Sequence, residues 1–379
     1  MAPRVPFIDL GRLVRRFAGP VKEDWAGVLD RTEFVGGPTV KTLEERLAGV
    51  LGVNHVVSCA NGTDALIVGL QVLGVKAGDK VALPNLTFWA TYEAIALLGA
   101  TPVLVDVCPK DFQLSLDELR KAHDQEKFSH AILPHLFGWT SARLLEIRAF
   151  CEERGIALLE DGAQCFGVEA FGKPVLAGAR VATLSFYPAK VVGGAMDGGA
   201  ILARDKADAD LARVLCNHGR ATHYSYSHVG WNSRMGGLQA SFILRALDEL
   251  PFILETRRAA NEQYRAWAEG KWPAGDGKVA FHGPPQGVVG NGYLSVFTSK
   301  AADGERLVAA LSAAGIGAAR TYPETMDAQP PAKDAIKIGD LAVSAAFCRS
   351  VVNLPIFAGI TADEVKASCE VFAGLLGEG

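Results

Sequence analysis

The chain has 379 residues, of which 49% are apolar and 21% charged, with a formal net charge of −4 and an isoelectric point near 6.1. This composition is close to the average of soluble globular proteins and excludes a mostly disordered chain. A mildly acidic surface without a basic stretch also gives a nucleic-acid partner little electrostatic support.

Cysteine usage and hydropathy indicate the compartment. The seven cysteines are widely scattered and form no C-x-x-C pair, which is typical of a reducing environment. The first residues, MAPRVPFIDLGRL, lack the continuous apolar core of a signal peptide, and no segment offers the roughly 18 uninterrupted apolar residues of a membrane helix. We therefore expect a cytoplasmic protein that does not cross a membrane.

In the first half of the chain, short apolar runs alternate with amphipathic segments of helical length. The predicted strands are HVVSC, KVALP, TPVLVDV, HAILPHLFG, IALLED, VATL and GGAILARD, and the predicted helices include DALIVGLQVL, WATYEAIALLG and RLLEIRAFCEERG. Strands that alternate with crossover helices form a mostly parallel sheet. The predicted fold class is therefore α/β.

The pattern changes in the last third of the chain. From about Met235 two helical segments follow each other, GGLQASFILRALDEL and, after Pro251, ILETRRAANEQYRAW. Beyond the Gly- and Pro-rich GPPQGVVGNG come an alternating strand, YLSVFTS, and the helices ERLVAALSAAG and ADEVKASCEVFAGLL. We expect a large domain over residues 1–250, including the N-terminal segment, and a smaller α+β domain over residues 251–379.

Ligands of α/β sheets collect at the carboxyl ends of the strands, so the residues that follow each predicted strand are the first candidates for a site. After VVSCA, the turn of Asn61, Gly62 and Thr63 opens a helix whose free N–H groups can bind a phosphate. Taken alone, this triplet is more typical of an ordinary helix N-cap. After VALP come Phe88 and Trp89, one of which could stack on a flat ring, although both could equally lie in the core.

Two later strands end in polar residues. Asp161 follows IALLE, and a carboxylate at a buried strand end needs a positive or hydrogen-bonding partner, which an ion pair or a metal ion would also provide. Ser185 follows VATL, and Lys190 lies between SFYPA and the glycines of VVGGAMDGGA. These glycines lack the G-x-G-x-x-G pattern and lead into a strand, which excludes a dinucleotide-binding loop.

Together, these residues fit one ligand, pyridoxal 5′-phosphate (PLP). The cofactor needs a lysine amine for a Schiff base, an anionic partner for its pyridinium nitrogen, a stacking face and phosphate donors. A carboxylate near the pyridine nitrogen makes the ring a stronger electron sink, which suits Asp161. Lys190 can carry the cofactor and then act as the base that moves the substrate proton.

The sequence resembles the DegT/DnrJ/EryC1/StrS family of sugar aminotransferases, whose members have the aspartate-aminotransferase-like fold type I. The similarity extends over nearly the whole chain and includes VPFIDL, FVGGPTVKTLEERLAGVLGVNHVVSCANGTDAL, LEDGAQCFG, SFYPAK, DGGAI, NHG, GWNSRM and NLPI. Several ordered motifs are far more specific than any one of them.

The resemblance implies a role for each matching residue. The phosphate would be bound by Gly62, Thr63 and Ser185, the pyridine ring by Phe88, the ring nitrogen by Asp161, the phenolic oxygen by Gln164 and the aldehyde by Lys190. Asn232 would reach the phosphate of the neighbouring subunit's cofactor. Candidate substrate contacts are Trp89, Phe166, Trp231 and Tyr322.

The resemblance also implies a function: a homodimer with shared active sites that moves an amino group from L-glutamate to the keto group of a nucleotide-linked sugar, in amino-sugar biosynthesis. The alternatives are a cyclitol or carbocycle aminotransferase, a non-catalytic PLP-fold sensor, and a dehydratase of a branch that replaces the lysine with histidine. The presence of Lys190 argues against the dehydratase.

Some residues depart from the family pattern. Cys165 and Phe166 follow the AQ pair where many members have histidine, and the bulky Trp139 follows Gly138, so the acceptor's identity stays open. The five-residue spacing of His218, His223 and His228 matches no standard metal-binding motif, and we predict no metal site.

Overall fold

The computed structural model describes residues 4–272 and 278–377. The helices are Leu10–Asp30 (α1), Pro38–Leu51 (α2), Gly62–Val72 (α3), Trp89–Leu97 (α4), Leu116–Glu126 (α5), Leu144–Glu153 (α6), Lys206–Cys216 (α7), Gly237–Asp248 (α8), Leu250–Lys271 (α9), Gly304–Ala313 (α10), Ala342–Ser350 (α11) and Ala362–Leu375 (α12). Short 3-10 turns occur at Val175–Gly178, Met326–Ala328 and Pro330–Ala332.

The strands are His55–Cys59 (β1), Lys80–Pro84 (β2), Thr101–Val105 (β3), His130–Pro134 (β4), Ala157–Asp161 (β5), Glu169–Ala170 (β6), Lys173–Pro174 (β7), Val181–Ser185 (β8), Gly199–Ala203 (β9), Arg220–Thr222 (β10), Ser225–Tyr226 (β11), Val279–His282 (β12), Val288–Val289 (β13), Ser295–Ser299 (β14), Ile336–Lys337 (β15) and Val351–Leu354 (β16).

The main sheet has the strand order β1-β9-β8-β5-β4-β2-β3-β15. From β8 to β15 every neighbouring pair is parallel, whereas β9 runs antiparallel to both β8 and β1. The prediction of an α/β fold with a mostly parallel sheet is confirmed.

Helices cover both faces of this sheet. In β4, Leu133 packs in one apolar cluster with Ile147 of α6, while the preceding Ile132 packs in a second cluster with Ile67 of α3. Because successive strand residues point to opposite faces, strands buried on both sides consist almost entirely of apolar residues. Burial on both faces therefore explains the uninterrupted apolar runs of the predicted strands.

The C-terminal part forms a second, antiparallel sheet of β12, β14 and β16. Its core contains the fully buried aromatic rings of Tyr264, Phe297 and Phe372, contributed by α9, β14 and α12. The short strand β15 lies apart from this sheet and pairs with β3 at the edge of the main one. The domain division at residue 250 stays a prediction.

Within the ranges that the structure describes, no helix is both long enough and apolar enough to cross a membrane.

Candidate active site

The carboxyl ends of β1, β2, β4, β5 and β8 surround a cavity of about 820 Å³. The predicted site residues that line it are Gly62, Thr63, Phe88, Asp161, Gln164, Ser185, Lys190 and Tyr322. The sheet therefore brings together residues that are up to 260 positions apart, from Gly62 to Tyr322.

One side of the cavity is formed by the start of α3 and the end of β8. Asn61 caps the helix, and its Oδ1 accepts a hydrogen bond from the Asp64 amide at 2.8 Å. A Cβ atom on Gly62 would lie 2.8 Å from the Ser185 Cβ, so only glycine lets the helix approach the serine this closely. The first N–H groups of a helix have no intrahelical acceptor. Beside the hydroxyl of Ser185, they form a site suited to a phosphate.

Asp161 lies at the end of β5 and is only 7% exposed. Its Oδ1 accepts a hydrogen bond from the Ala163 amide at 3.0 Å, and its Oδ2 accepts one from Thr91 Oγ1 at 3.3 Å. Burial raises the pKa of Asp161, although the Ala163 hydrogen bond and the nearby Lys190 oppose this shift. A buried carboxylate of this kind is stabilised by a positively charged N–H group placed beside it.

Lys190 lies in the turn after β8, and its side chain reaches the cavity. Its Nζ donates a hydrogen bond to the Tyr293 hydroxyl at 3.4 Å and lies 5.3 Å from the centre of the Tyr293 ring. The following chain folds back closely: a Cβ on Gly193 would lie 2.3 Å from the Pro188 carbonyl oxygen. The glycines after the lysine thus allow the tight turn that presents it.

Aromatic rings form the opposite wall. The Phe88 side chain is 57% exposed, and the centre of its ring lies 6.4 Å from that of Tyr322. Gln164 Nε2 donates a hydrogen bond to the Tyr322 hydroxyl, and its Oε1 accepts one from the Phe137 amide. Burial raises the pKa of Tyr322 well above its usual value. Phe88 therefore offers a free ring face, while the amide of Gln164 is held in one orientation.

Four predicted residues lie outside the described lining of this cavity. Trp89 stacks on Tyr92 with ring centres 4.8 Å apart. Phe166 packs into the core, and the indole N–H of Trp231 donates a hydrogen bond to Gln71 Oε1 at 2.8 Å.

Asn232 is the fourth. Its side chain is exposed on the surface and accepts a hydrogen bond from Arg234 Nη2 at 2.6 Å. A role for Asn232 at a neighbouring subunit's cofactor stays a prediction.

The lining residues that sequence reasoning missed include His135 and Tyr293. His135 directly follows β4, so the rule that identified Asp161 and Ser185 also points to it. Its Nε2 lies 2.9 Å from Glu160 Oε2. Tyr293 enters from the C-terminal part, just before β14, and no local pattern distinguishes it.

No group of three or more His, Cys, Asp or Glu side chains in residues 4–272 and 278–377 is arranged to hold a metal ion.

The lining fits PLP on its own geometry. It combines the close contact between Gly62 and Ser185, the buried carboxylate of Asp161, the exposed ring of Phe88 and the amine of Lys190. These are the groups needed for a phosphate, a pyridinium nitrogen, a flat ring and an aldehyde. Fold and site together define a PLP-dependent enzyme of the α/β class.

Comparison with known proteins identifies the family. The model of the DegT/DnrJ/EryC1/StrS aminotransferase family matches residues 20–373, and the chain belongs to this family. The UDP-2-acetamido-2-deoxy-3-oxo-D-glucuronate aminotransferase of Pseudomonas aeruginosa is 33% identical over 96% of this chain and 98% of its own length. The dTDP-3-amino-3,4,6-trideoxy-alpha-D-glucose transaminase of Streptomyces venezuelae is 32% identical over 93% and 91%.

A solved structure agrees with these relatives. The crystal structure of DesV from S. venezuelae, in complex with a ketimine intermediate, matches with a TM-score of 0.92 and 28% identity, and covers 99% of both chains. The family, the α/β fold, the aminotransferase class and the PLP cofactor predicted from the sequence are confirmed.

Proposed function

We propose that this aminotransferase moves an amino group from L-glutamate to the keto group of a nucleotide-linked sugar, in amino-sugar biosynthesis. The observation that carries the proposal is the cavity of about 820 Å³ in which Lys190, Asp161 and the Gly62–Ser185 contact converge. The two relatives are named for a UDP-linked and a dTDP-linked sugar, which supports the acceptor class.

When bound, PLP supplies an electrophilic aldehyde and an electron sink for the bond that is broken at the substrate carbon. The N–H groups of Gly62 and Thr63 and the hydroxyl of Ser185 would bind its phosphate, and Phe88 would stack on its ring. Asp161 would hold the proton on the pyridine nitrogen. The Gln164 amide, which already donates to Tyr322, would face the phenolic oxygen.

Lys190 has two tasks in this proposal. Its amine would hold the cofactor in the resting protein and, once released, would take the proton from the glutamate Cα and deliver it to the cofactor's aldehyde-derived carbon. The amino group would stay on the cofactor until the keto sugar enters and receives it. The same residues then work in reverse order.

We also propose a homodimer in which a second copy completes each site. Among the described lining residues, Lys190 is the one lysine or arginine, against the carboxylates of Asp64, Glu93, Asp161 and Asp197. Glutamate and sugar nucleotides are anions, so further cationic or N–H groups are needed.

The surface of each chain offers such groups. Asn232 and Arg234 are exposed and hydrogen-bonded to each other. Close to them in sequence, the β10–β11 hairpin and the segment that follows it present Tyr224 and Val229, whose side chains are 86% and 91% exposed. Several apolar side chains exposed within one short segment support an interaction surface here. We further place the enzyme in the cytoplasm, since its seven cysteines are free thiols.

The test of the acceptor class is a screen of UDP-, dTDP- and GDP-linked keto sugars with nitrogen-15 glutamate, read by mass spectrometry. The proposal expects at least one aminated sugar nucleotide that carries the label, and none with the Lys190→Ala variant. Parallel reactions contain cyclitol ketones. Labelled cyclitol products without any labelled sugar nucleotide would contradict the proposal and favour the carbocycle alternative.

A further inference from the structure

Tyr293 is the residue whose side chain touches the amine of Lys190. The lysine Nζ donates a hydrogen bond to the tyrosine hydroxyl at 3.4 Å, and both side chains line the same cavity. The two residues come from different parts of the fold, since Lys190 follows β8 of the main sheet and Tyr293 precedes β14 of the C-terminal sheet.

The main chain of Tyr293 is fixed from the side of the main sheet by Asn291. Asn291 is fully buried, and its Oδ1 accepts a hydrogen bond from the Tyr293 amide at 2.8 Å. Its Nδ2 donates to the carbonyl oxygens of Gln164 and Phe166, both at 2.9 Å. One side chain thus ties the position of Tyr293 to the segment that carries Gln164.

Arg257 of α9 also fixes the main chain of Tyr293. Its Nη1 donates to the carbonyl oxygens of Gly292 and Tyr293 at 3.2 and 3.3 Å. Arg257 is 5% exposed, and burial lowers the pKa of its guanidinium to about 10. A buried cation bonded to carbonyl oxygens is expensive. Its presence here indicates that the conformation of residues 292–293 is strongly determined.

A hydroxyl group is well matched to a lysine that transfers protons. The lysine alternates between an ammonium, which only donates hydrogen bonds, and an amine, which can also accept one. A tyrosine hydroxyl can accept from the first and donate to the second. It therefore remains a partner of the amine in both states and holds it in one place, and catalytic rates depend strongly on such placement.

We infer that Tyr293 is a positioning residue that holds the Lys190 amine in place for its two steps, Schiff-base formation and proton transfer. In the first, the amine nitrogen attacks the aldehyde carbon of PLP, and the oxygen leaves as one molecule of water. In the second, the amine takes the proton from the glutamate Cα and transfers it to the aldehyde-derived carbon of the cofactor. This inference rests on the proposed function for the glutamate step, but its first test needs neither glutamate nor a sugar.

The experiment compares Tyr293→Phe with Tyr264→Phe. The first variant keeps the ring and removes only the hydroxyl next to Lys190. The second is the matched control, because the Tyr264 hydroxyl donates to the Pro355 carbonyl in the buried C-terminal core, away from the cavity. Apoprotein is mixed with PLP, and Schiff-base formation is followed by visible absorption. Pyridoxamine 5′-phosphate, which cannot form a Schiff base, measures the integrity of the rest of the site.

In Tyr293→Phe we expect Schiff-base formation to slow by roughly 10- to 100-fold, while affinity for pyridoxamine 5′-phosphate stays within about twofold of wild type. The single-turnover rate with glutamate should fall by a similar factor, with a smaller change in KM. Tyr264→Phe should load both forms of the cofactor like wild type.

Two results would overturn the inference. The first is wild-type loading and glutamate turnover in Tyr293→Phe, and the second is an equal loss of affinity for both cofactor forms, which would indicate a general role in the pocket. Wild-type protein that loads PLP and converts glutamate but aminates no sugar would contradict only the proposed acceptor class, so the two failures are distinguishable.

Discussion

Glu160 and Asp161 are neighbours in β5, and their buried carboxylates have pKa values shifted in opposite directions. Although burial alone would raise it, the pKa of Glu160 is lowered by hydrogen bonds from His135 and from Arg148, whose Nε and Nη2 lie 2.7 and 2.8 Å from the carboxylate oxygens. Asp161 has weaker partners, and burial raises its pKa. Successive residues of a strand face opposite sides of a sheet. The Glu160 carboxylate therefore lies in the core, and the Asp161 carboxylate lies in the cavity.

Replacing the cavity-facing carboxylate of Asp161 should reduce the transamination rate without destabilising the fold. We predict that Asp161→Asn retains PLP, because Gly62, Thr63 and Ser185 remain, but loses transamination by about 10²- to 10³-fold, the size of effect seen when one preorganised electrostatic group is removed. The measurement is the single-turnover reaction with glutamate. A rate near that of wild type would show that the pyridine nitrogen needs no anionic partner.

Replacing the core-facing carboxylate should have the opposite result. Glu160→Gln leaves the partly buried cation of Arg148 without its countercharge, and we predict a loss of about 3 kcal/mol in the free energy of unfolding. Urea denaturation measures it. The control is Glu146→Gln in α6, which removes an exposed ion pair with Arg143. Its free energy of unfolding should stay within about 0.5 kcal/mol of the wild-type value. Equal stability of the two variants would contradict this assignment.

The strand-end residues of the site could be predicted from the sequence because their positions are local. Gly62, Asp161 and Ser185 each come within a few residues of an apolar run, and parallel strands bring such ends together. The direction of β9 could not be predicted, because an apolar run such as GGAILARD has the same pattern whichever way the strand runs.

The remaining parts of the site depend on contacts between distant segments. Tyr293 approaches Lys190 from a segment 103 residues away, and its main chain is held by Asn291 and by Arg257 of α9. The sequence also does not show which apolar residues line the cavity and which lie in the core. Phe88 and Phe166 are chemically the same, yet the first is 57% exposed in the cavity and the second is buried in the core. Composition and spacing do not separate the two.

The contact between α3 and β8 gives a prediction about cofactor affinity. In Gly62→Ala, the new Cβ would lie 2.8 Å from the Ser185 Cβ, so the helix start or the serine must move. We expect PLP affinity to fall by at least about tenfold, and stability to fall by roughly 1 to 3 kcal/mol. Gly49→Ala in α2, where a Cβ has no neighbour within 4 Å, is the control and should bind PLP normally. Normal binding by both variants would exclude the proposed phosphate site.

Arg12 of α1 and Glu364 of α12 give a prediction about pH. Hydrogen bonds from Arg12 at 2.7 and 2.9 Å lower the pKa of Glu364 to about 2 from its usual 4.5. Because the folded-state pKa is below the unfolded value, the stabilisation is fully present above pH 4.5 and is lost as the pH falls towards 2. Allowing for solvent screening, we predict that Glu364→Gln lowers the free energy of unfolding by about 1 to 2 kcal/mol at pH 7.

This difference between wild type and Glu364→Gln should shrink steadily below pH 4.5, which denaturation curves at pH 7, 5, 4 and 3 would show. The glutamine side-chain oxygen can still accept from the Thr361 amide, and the backbone N–H of residue 364 still donates to Thr361 Oγ1, so the start of α12 is preserved. Glu370→Gln, which removes an exposed ion pair with Lys366 on the same helix, is the control. A difference that is constant with pH would exclude the ionised pair as its source.

The proposed sharing of sites between two chains can be tested by mixing two defective variants. Lys190→Ala removes the amine within one chain's own cavity. Asn232→Asp keeps an acceptor for Arg234 but would place a negative charge beside the phosphate of the partner's cofactor. Each variant should be nearly inactive as a homodimer.

In a mixed dimer, one site would combine both defects and the other would have neither, because each site takes Lys190 from one chain and Asn232 from the other. Random reassortment makes about half of the dimers mixed, so roughly a quarter of all sites should regain wild-type composition and about that fraction of wild-type activity. If both residues came from the same chain, every site would keep one defect. Co-expression with two different affinity tags isolates the mixed dimers, in which one of the two sites is intact, so they should show about half of wild-type activity with glutamate and the accepted keto sugar. Mixed dimers no more active than either parent would remove Asn232 from the neighbouring site while leaving the role of Lys190 intact.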